Sequence, residues 1–214
     1  MKKPVSDLTL RRFPKYIQFL KTLQKRGEKY TSASEIARRL GVHHTQVRKD
    51  LALTGVRGIP KVGHKVDDLI KAITKFIYWD EISYAFLVGA GHLGTAILHY
   101  QGFVKAGFQI VAAFDKNPEK IGKNIASVKI YNIDRFSYFA EKMDVRIGII
   151  TTTSEVAQKI TDLMVKNGIK AIWNFTPIKL SVPADIIVEN VDIYPSLAVL
   201  LRKLHELEKA SRKK

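Results

Sequence analysis

The chain has 214 residues, 46% of them hydrophobic, and a formal net charge of +16, a length that supports one ordinary core and a second, smaller one. It contains no cysteine, which excludes disulfides, iron–sulfur clusters, cysteine-ligated zinc and thiol catalysis; no metal site is expected. Its longest apolar runs, such as residues 147–150, are far shorter than the roughly 20 residues a membrane helix requires. The opening MKKPVSDLTLRRF lacks the apolar stretch of a secretory leader, so the expectation is a cytoplasmic protein with no membrane attachment.

The charge is concentrated at one end. Residues 1–78 hold 18 Lys and Arg against 6 Asp and Glu, a net of +12, while the remaining 136 residues carry a net of +4. A field of that sign draws phosphate backbones; a solvated lysine-rich surface is the plain alternative. Leu10, Phe13, Ile17, Leu20 and Leu23 recur at helical spacing, and Pro14 sets the start of that helix near Arg12 or Phe13. Ser32 or Ser34 is expected to cap a second helix ending at Gly41, and Thr45 to cap a third that carries Val47, Leu51 and Leu53. A short helix, a glycine turn and a helix bearing Arg and Lys near its start make the helix-turn-helix pattern. Thr45, Gln46, Arg48 and Lys49 are therefore the candidates for contact with DNA. The stretch TGVRGIPKVGHKV (54–66) reads as a basic hairpin with Ile59, Val62 and Val66 as strand positions. Such a hairpin is the wing of a winged helix, with Arg57, Lys61, His64 and Lys65 turned to phosphate or the minor groove.

Near residues 78–82 the rhythm changes. YAFLVGA, FQIVAAFD, VKIYNI, VRIGIITT, IKAIWNF and IIVENV alternate with helix-like segments, the mark of a parallel sheet built from βαβ units. Gly89, Gly91 and Gly94 stand at G-x-G-x-x-G spacing between an apolar strand and a helix. The first glycine permits the tight turn, the second lets backbone approach a pyrophosphate, and the third allows close helix–strand packing. Asp115 ends the next strand, 21 residues past Gly94, where a carboxylate can bind both ribose hydroxyls and repel a 2′-phosphate. NAD(H) is thus expected over NADP(H), with Lys116 beside it pulling the other way. Ala90, His92, Leu93, Thr152, Thr153 and Asn174 complete the expected cofactor set. No catalytic motif is present, and His92 and His99 read as exposed or capping residues, so the dinucleotide reads as a signal, not a reactant.

Five segments, QVRKDL (46–51), VGAGHLGTAILHYQGF (88–103), VAAFDKNPEKIG (111–122), GIKAIWNFTP (168–177) and VPADIIVENVD (182–192), together resemble the Rex family of redox-sensing transcriptional repressors. The resemblance implies an α/β protein with an N-terminal winged helix-turn-helix domain over 1–79 and a Rossmann-type parallel-sheet domain binding NAD(H) over 80–193. Residues 194–214 would be a domain-swapped C-terminal dimerisation helix and basic tail. It also implies a homodimer on a pseudo-palindromic operator in double-stranded DNA, released when NADH binds, with NAD+ as competitor. Tyr100 and Asp192 match positions linked in that family to nicotinamide sensing and domain closure, which adds Tyr100 to the expected cofactor set, and Arg12, Tyr100 and Asp192 match an interdomain switch network there. Where the family carries an Arg-Gly-x-Gly-Tyr wing, an ungapped alignment puts Pro60, Lys61 and His64, so a different operator is expected. Two other readings are a small NAD-dependent oxidoreductase with a basic substrate-binding domain, and a DNA-binding protein whose Rossmann half only dimerises.

Overall fold

Phe13, Tyr16, Ile17, Leu20 and Leu23 lie on one side of a 13-residue helix and are removed from solvent together. They seed the core of the first of two units, residues 1–82 and 83–214, into which the chain divides. The computed structural model describes residues 5–211. Lys2 and Lys3 of the basic N-terminal part, and residues 212–214 of the basic tail, lie outside the described residues.

The first unit runs α1 (Asp7–Leu10), α2 (Phe13–Lys25), β1 (Tyr30–Thr31), α3 (Ala33–Leu40), α4 (His44–Leu53), β2 (His64–Lys65) and α5 (Val66–Phe76). Leu10 does not join the stripe of α2; it ends α1 and is exposed. Pro14 has no N–H with which to bond the Leu10 carbonyl, so one helix cannot run through. Ser32, not Ser34, caps α3, its Oγ accepting the Glu35 N–H at 3.1 Å. α4 begins two residues earlier than expected: His43 Nδ1 accepts the Thr45 N–H at 3.3 Å, and Thr45 lies inside the first turn. Val47 and Leu51, four apart, enter the core with Ile36, Leu69 and Ile73, whereas Leu53 falls on the other side of α4 and is exposed.

The wing differs from a simple hairpin. Within it only Ile59 and Gly63 bridge each other; β2 pairs with β1, Tyr30 opposite Lys65 and Thr31 opposite His64. Val66 is not a strand residue but the buried first position of α5. The wing is thus a tight loop hung on a ladder with the segment before α3.

The second unit contains β3 (Ser83–Val88), α6 (His92–Leu98), β4 (Phe108–Asp115), β5 (Asn124–Ile125), β6 (Val128–Asn132), α7 (Phe136–Lys142), β7 (Ile147–Ile150), α8 (Ser154–Lys166), β8 (Ala171–Asn174), β9 (Ile187–Asn190) and α9 (Tyr194–Ser211). Its sheet has the order β5-β6-β4-β3-β7-β8-β9. From β6 to β9 all neighbours are parallel, and the order is that of the Rossmann fold, 3-2-1-4-5-6, with antiparallel β5 added at one edge. Alternate residues of β3 enter different cores: Phe86 and Val88 pack with Phe114, Phe136 and Met164, and Ala85 and Leu87 with Ile97, Leu98 and Ile149. Strands buried on both faces read as unbroken apolar runs, which is why FLV and IGII were visible in the sequence. The strand order reverses between β3 and β7, and ligands of such sheets bind outside the carboxyl ends of the strands at that point.

Candidate functional site

The glycine turn occupies that reversal point. Gly89 follows β3 with φ of +103°, and a Cβ there would lie 2.8 Å from the Thr151 carbonyl carbon and oxygen at the end of β7. Gly94, buried in α6, passes so close to the turn that a Cβ there would collide with the Gly89 carbonyl oxygen. Thr151 seals the arrangement: its hydroxyl donates to the Gly89 carbonyl at 2.7 Å and lies 3.2 Å from that of Val88. Gly91 is the opposite case, since a Cβ on it would meet nothing within 4 Å. The turn is therefore braced on its protein side and open at Gly91, the space a pyrophosphate needs.

Asp115 is coupled to the turn directly. One carboxylate oxygen accepts the Ala90 N–H at 2.8 Å and the other the Asn117 N–H at 2.9 Å, with Lys120 Nζ at 3.5 Å. A carboxylate has about four acceptor sites, so each oxygen retains capacity for a ribose hydroxyl. Lys116 is exposed beside it, His92 and Leu93 are exposed in the first turn of α6, and Thr152 and Thr153 follow Thr151 at the rim, half-buried and exposed. These features fit a dinucleotide. Asn174 is committed elsewhere: it is buried, its amide nitrogen lies within 3.2 Å of Thr176 O, Ile178 O and Asn190 Oδ1, and its Oδ1 accepts the Thr176 N–H and hydroxyl. Its side chain braces the β8 end of the sheet. Thr151 escaped the sequence reading; its signal was its place as the first polar residue after the strand across the reversal point.

In the first unit, Thr45, Arg48 and Lys49 are exposed on α4 and Arg57 and Lys61 on the wing. None of Thr45, Arg48, Lys49, Arg57 or Lys61 has a salt-bridge partner among the described residues. His64 departs from its expected place at the phosphates. Its ring is half-buried against Gly58, its Nδ1 is buried without a hydrogen-bond partner among the described residues, and burial lowers its pKa. Gln46 is half-buried and donates from Nε2 to Asp50 at 2.8 Å.

Asp50 is the residue that periodicity did not reveal. It is 1% exposed and takes two bonds from Arg12, Nε at 2.6 Å and Nη2 at 2.9 Å, and one from the Tyr16 hydroxyl at 2.6 Å. Arg12 is further fixed by Thr9 at 3.0 Å. Burial pushes the Asp50 carboxyl up, but bonds from Arg12, Tyr16 and Gln46 outweigh it and hold it below the usual carboxylate range. The same bond raises Arg12, and burial followed by Asp50 pushes the Tyr16 hydroxyl up. Breaking such a pair from one side leaves an uncompensated buried charge, a loss of roughly 3–5 kcal/mol. Arg12, expected in a network with Tyr100 and Asp192, is held here by Asp50 of α4. Tyr100 is exposed just after α6, edge-on to Phe103 at 4.8 Å between centroids, and Asp192 is exposed, its Oδ1 accepting the Tyr194 N–H at the start of α9.

A helix-turn-helix unit joined to a Rossmann unit with a glycine turn and a ribose-type carboxylate defines the class of dinucleotide-fold DNA-binding regulators. Residues 80–178 match the profile of the CoA binding domain, and residues 4–52 the profile described as "Putative DNA-binding protein N-terminus". The chain is similar to the redox-sensing transcriptional repressor Rex of Bacteroides thetaiotaomicron, 43% identical over 94% of this chain and 91% of that protein. It is also similar to that of Treponema denticola, 42% identical over 90% and 91%. Among solved structures it is similar to RSP in complex with β-NADH, with 36% identity and a TM-score of 0.89 over all of both chains. RSP in complex with β-NAD+ and operator DNA matches with the same identity and TM-score over 99% of this chain and 97% of that one. The chain belongs to the Rex family of redox-sensing transcriptional repressors. No helix among the described residues is long and apolar enough to cross a membrane.

Proposed function

We propose that this chain is a cytoplasmic, non-enzymatic repressor that binds a pseudo-palindromic operator as a homodimer and leaves it when NADH binds, NAD+ competing for the same site. The observation that carries this reading is the whole-chain similarity to RSP, a protein solved both with NADH and with NAD+ and operator DNA. The geometry supports it at both ends. Gly91 is open where a pyrophosphate would approach, Asp115 is hydrogen-bonded into the turn, and Thr45, Gln46, Arg48, Lys49, Arg57 and Lys61 offer polar groups on the recognition helix and wing. When bound, the dinucleotide supplies a redox-dependent charge: the nicotinamide ring is cationic when oxidised and neutral when reduced. An effector shifts an equilibrium only through differential affinity, so NADH must favour the DNA-free arrangement and operator DNA must weaken NADH binding by the same factor. In this reading Arg12, Tyr100 and Asp192 belong to the switch between arrangements, and Gly89 through Gly94, Asp115, Lys116, Thr152 and Thr153 to the cofactor site. Fluorescence anisotropy of an operator duplex tests it. NADH should weaken binding and NAD+ should blunt that effect; identical titrations with and without NADH would overturn the sensing role.

A further inference from the structure

Four donors converge on Asp50: Arg12 Nε and Nη2, the Tyr16 hydroxyl and Gln46 Nε2, all within 2.9 Å. Three of them come from Arg12 and Tyr16 at the start of α2 and one from α4 itself, a turn before Asp50. A carboxylate paired with a guanidinium is ionised, and an ionised carboxylate only accepts. The Gln46 amide can therefore face it through nitrogen alone. Its Oε1 has no partner among the described residues, and its neighbours Thr45, Arg48 and Lys49 are exposed. An exposed glutamine can turn its amide over and offer either group to a ligand; Gln46 is held in one of the two orientations.

We propose that Asp50 is a positioning residue for base readout, which fixes the Gln46 amide so that α4 presents its carbonyl oxygen, with one amide hydrogen, to the operator. This rests on the operator-binding reading above and extends it to sequence preference. A carbonyl oxygen accepts from an exocyclic amino group, which adenine and cytosine carry at their major-groove edges; guanine and thymine offer an acceptor there instead. Fixing the amide before binding makes Gln46 prefer an amino-bearing base at one position of each half-site. Arg12 and Tyr16 act through Asp50: they keep it charged and keep α4 seated on α2.

Selection of operator sequences from random DNA by the full chain tests this, comparing wild type with Asp50→Asn, Gln46→Ala and the double variant Arg12→Gln/Asp50→Asn. Asparagine can accept or donate, which frees the Gln46 amide, and the double variant removes both charges so that the test survives if Asp50→Asn alone does not fold. Wild type should show an adenine or cytosine preference at one position per half-site. Asp50→Asn, or the double variant, should lose it at least fivefold at the position that Gln46→Ala also relaxes. Affinity of Asp50→Asn for random DNA should stay within about twofold, since its phosphate contacts are untouched; the double variant, which also alters the switch residue Arg12, is read by its sequence preference alone. A preference that survives in Asp50→Asn or in the double variant overturns the inference alone, and so does a loss of affinity by folded Asp50→Asn that is uniform across all sequences, which is what a packing role would give. A wild-type chain that selects no sequence overturns the operator-binding reading and this inference with it.

Discussion

The Ala90 backbone N–H donates to Asp115 at 2.8 Å, so the glycine turn and the carboxylate at the end of β4 form one hydrogen-bonded unit. Two consequences separate on mutation. Asp115→Ala removes the ribose acceptor and leaves the Ala90 donor without its partner; hydrogen bonds to a charged group contribute about 1.5–3 kcal/mol, so NADH affinity should fall roughly ten- to a hundredfold. Asp115→Asn keeps an acceptor but not the charge, and should narrow the gap between NADH and NADPH, because repulsion of a 2′-phosphate disappears. Calorimetric titration with both nucleotides checks this; unchanged selectivity in Asp115→Asn would exclude the charge as its source.

The glycines of the turn should respond to alanine in opposite ways. In Gly94→Ala the new methyl meets the Gly89 carbonyl and the Thr151 hydroxyl, both rigidly placed, and overpacking of this kind costs about 1–3 kcal/mol or more. Thermal unfolding should register that loss without ligand. Gly91→Ala puts its methyl in open space at an ordinary φ of −73°, so stability should stay within about 0.5 kcal/mol while dinucleotide binding collapses. Stable Gly91→Ala protein that binds NADH like wild type would show that the pyrophosphate does not lie over this residue.

How much of this was legible in the sequence depends on whether a local pattern carried it. The βαβ rhythm, the glycine turn and Asp115 each rest on short-range spacing, and the sheet order puts them at one point as that spacing implied. The helix-turn-helix was legible for the same reason, though the cap of α4 fell to His43, whose ring nitrogen does what a Thr45 hydroxyl was expected to do. The Asp50 cluster was not legible. Its partners Arg12 and Tyr16 lie 38 and 34 residues away, and no helical period announces a carboxylate on a buried stripe. His64 departs from the phosphate contact that its place among the basic wing residues implies, because the β1–β2 pairing sets its ring beside Gly58.

That burial gives His64 a pH signature. An unfolded histidine titrates near 6.5, and burial lowers His64 below that value. The unfolded chain thus binds the proton more readily, so the contribution of the neutral ring is fully present above about pH 6.5 and is lost as pH falls through the lower folded value. Wild type and His64→Phe, which has no ring nitrogen to protonate, should therefore draw apart in melting temperature as the solution is made acidic, wild type losing more. Parallel curves from neutral pH down to about pH 5 would show that the buried Nδ1 escapes on protonation.

Arg48 and Lys49 follow the polar start of α4 and are both exposed, where a helix in the major groove meets base edges. Arg48→Ala and Lys49→Ala should each weaken operator binding by roughly 1–3 kcal/mol where they touch a base, and relax selection at that position. A phosphate contact behaves differently: it weakens all sequences alike and lowers the salt dependence. Titrations on operator and random duplexes at several salt concentrations distinguish the two, and no loss on either would remove these residues from the interface.

The helix α9 poses the clearest demand for a partner. Leu197, Leu200, Leu201, Leu204 and Leu207 recur along it at three- and four-residue spacing, yet each is between 46% and 67% exposed. A contiguous apolar stripe of that length is an association surface, and in a two-fold dimer the two copies bury the same residues. Leu200→Glu with Leu204→Glu should therefore turn the proposed dimer into a monomer by sedimentation, while leaving the cores around Phe13 and Phe86, which contain no α9 residue, intact. The monomer should also lose operator affinity by much more than tenfold, because the second half-site is then no longer presented at high effective concentration. A wild-type monomer, or a variant that remains dimeric and bound, would remove α9 from the assembly.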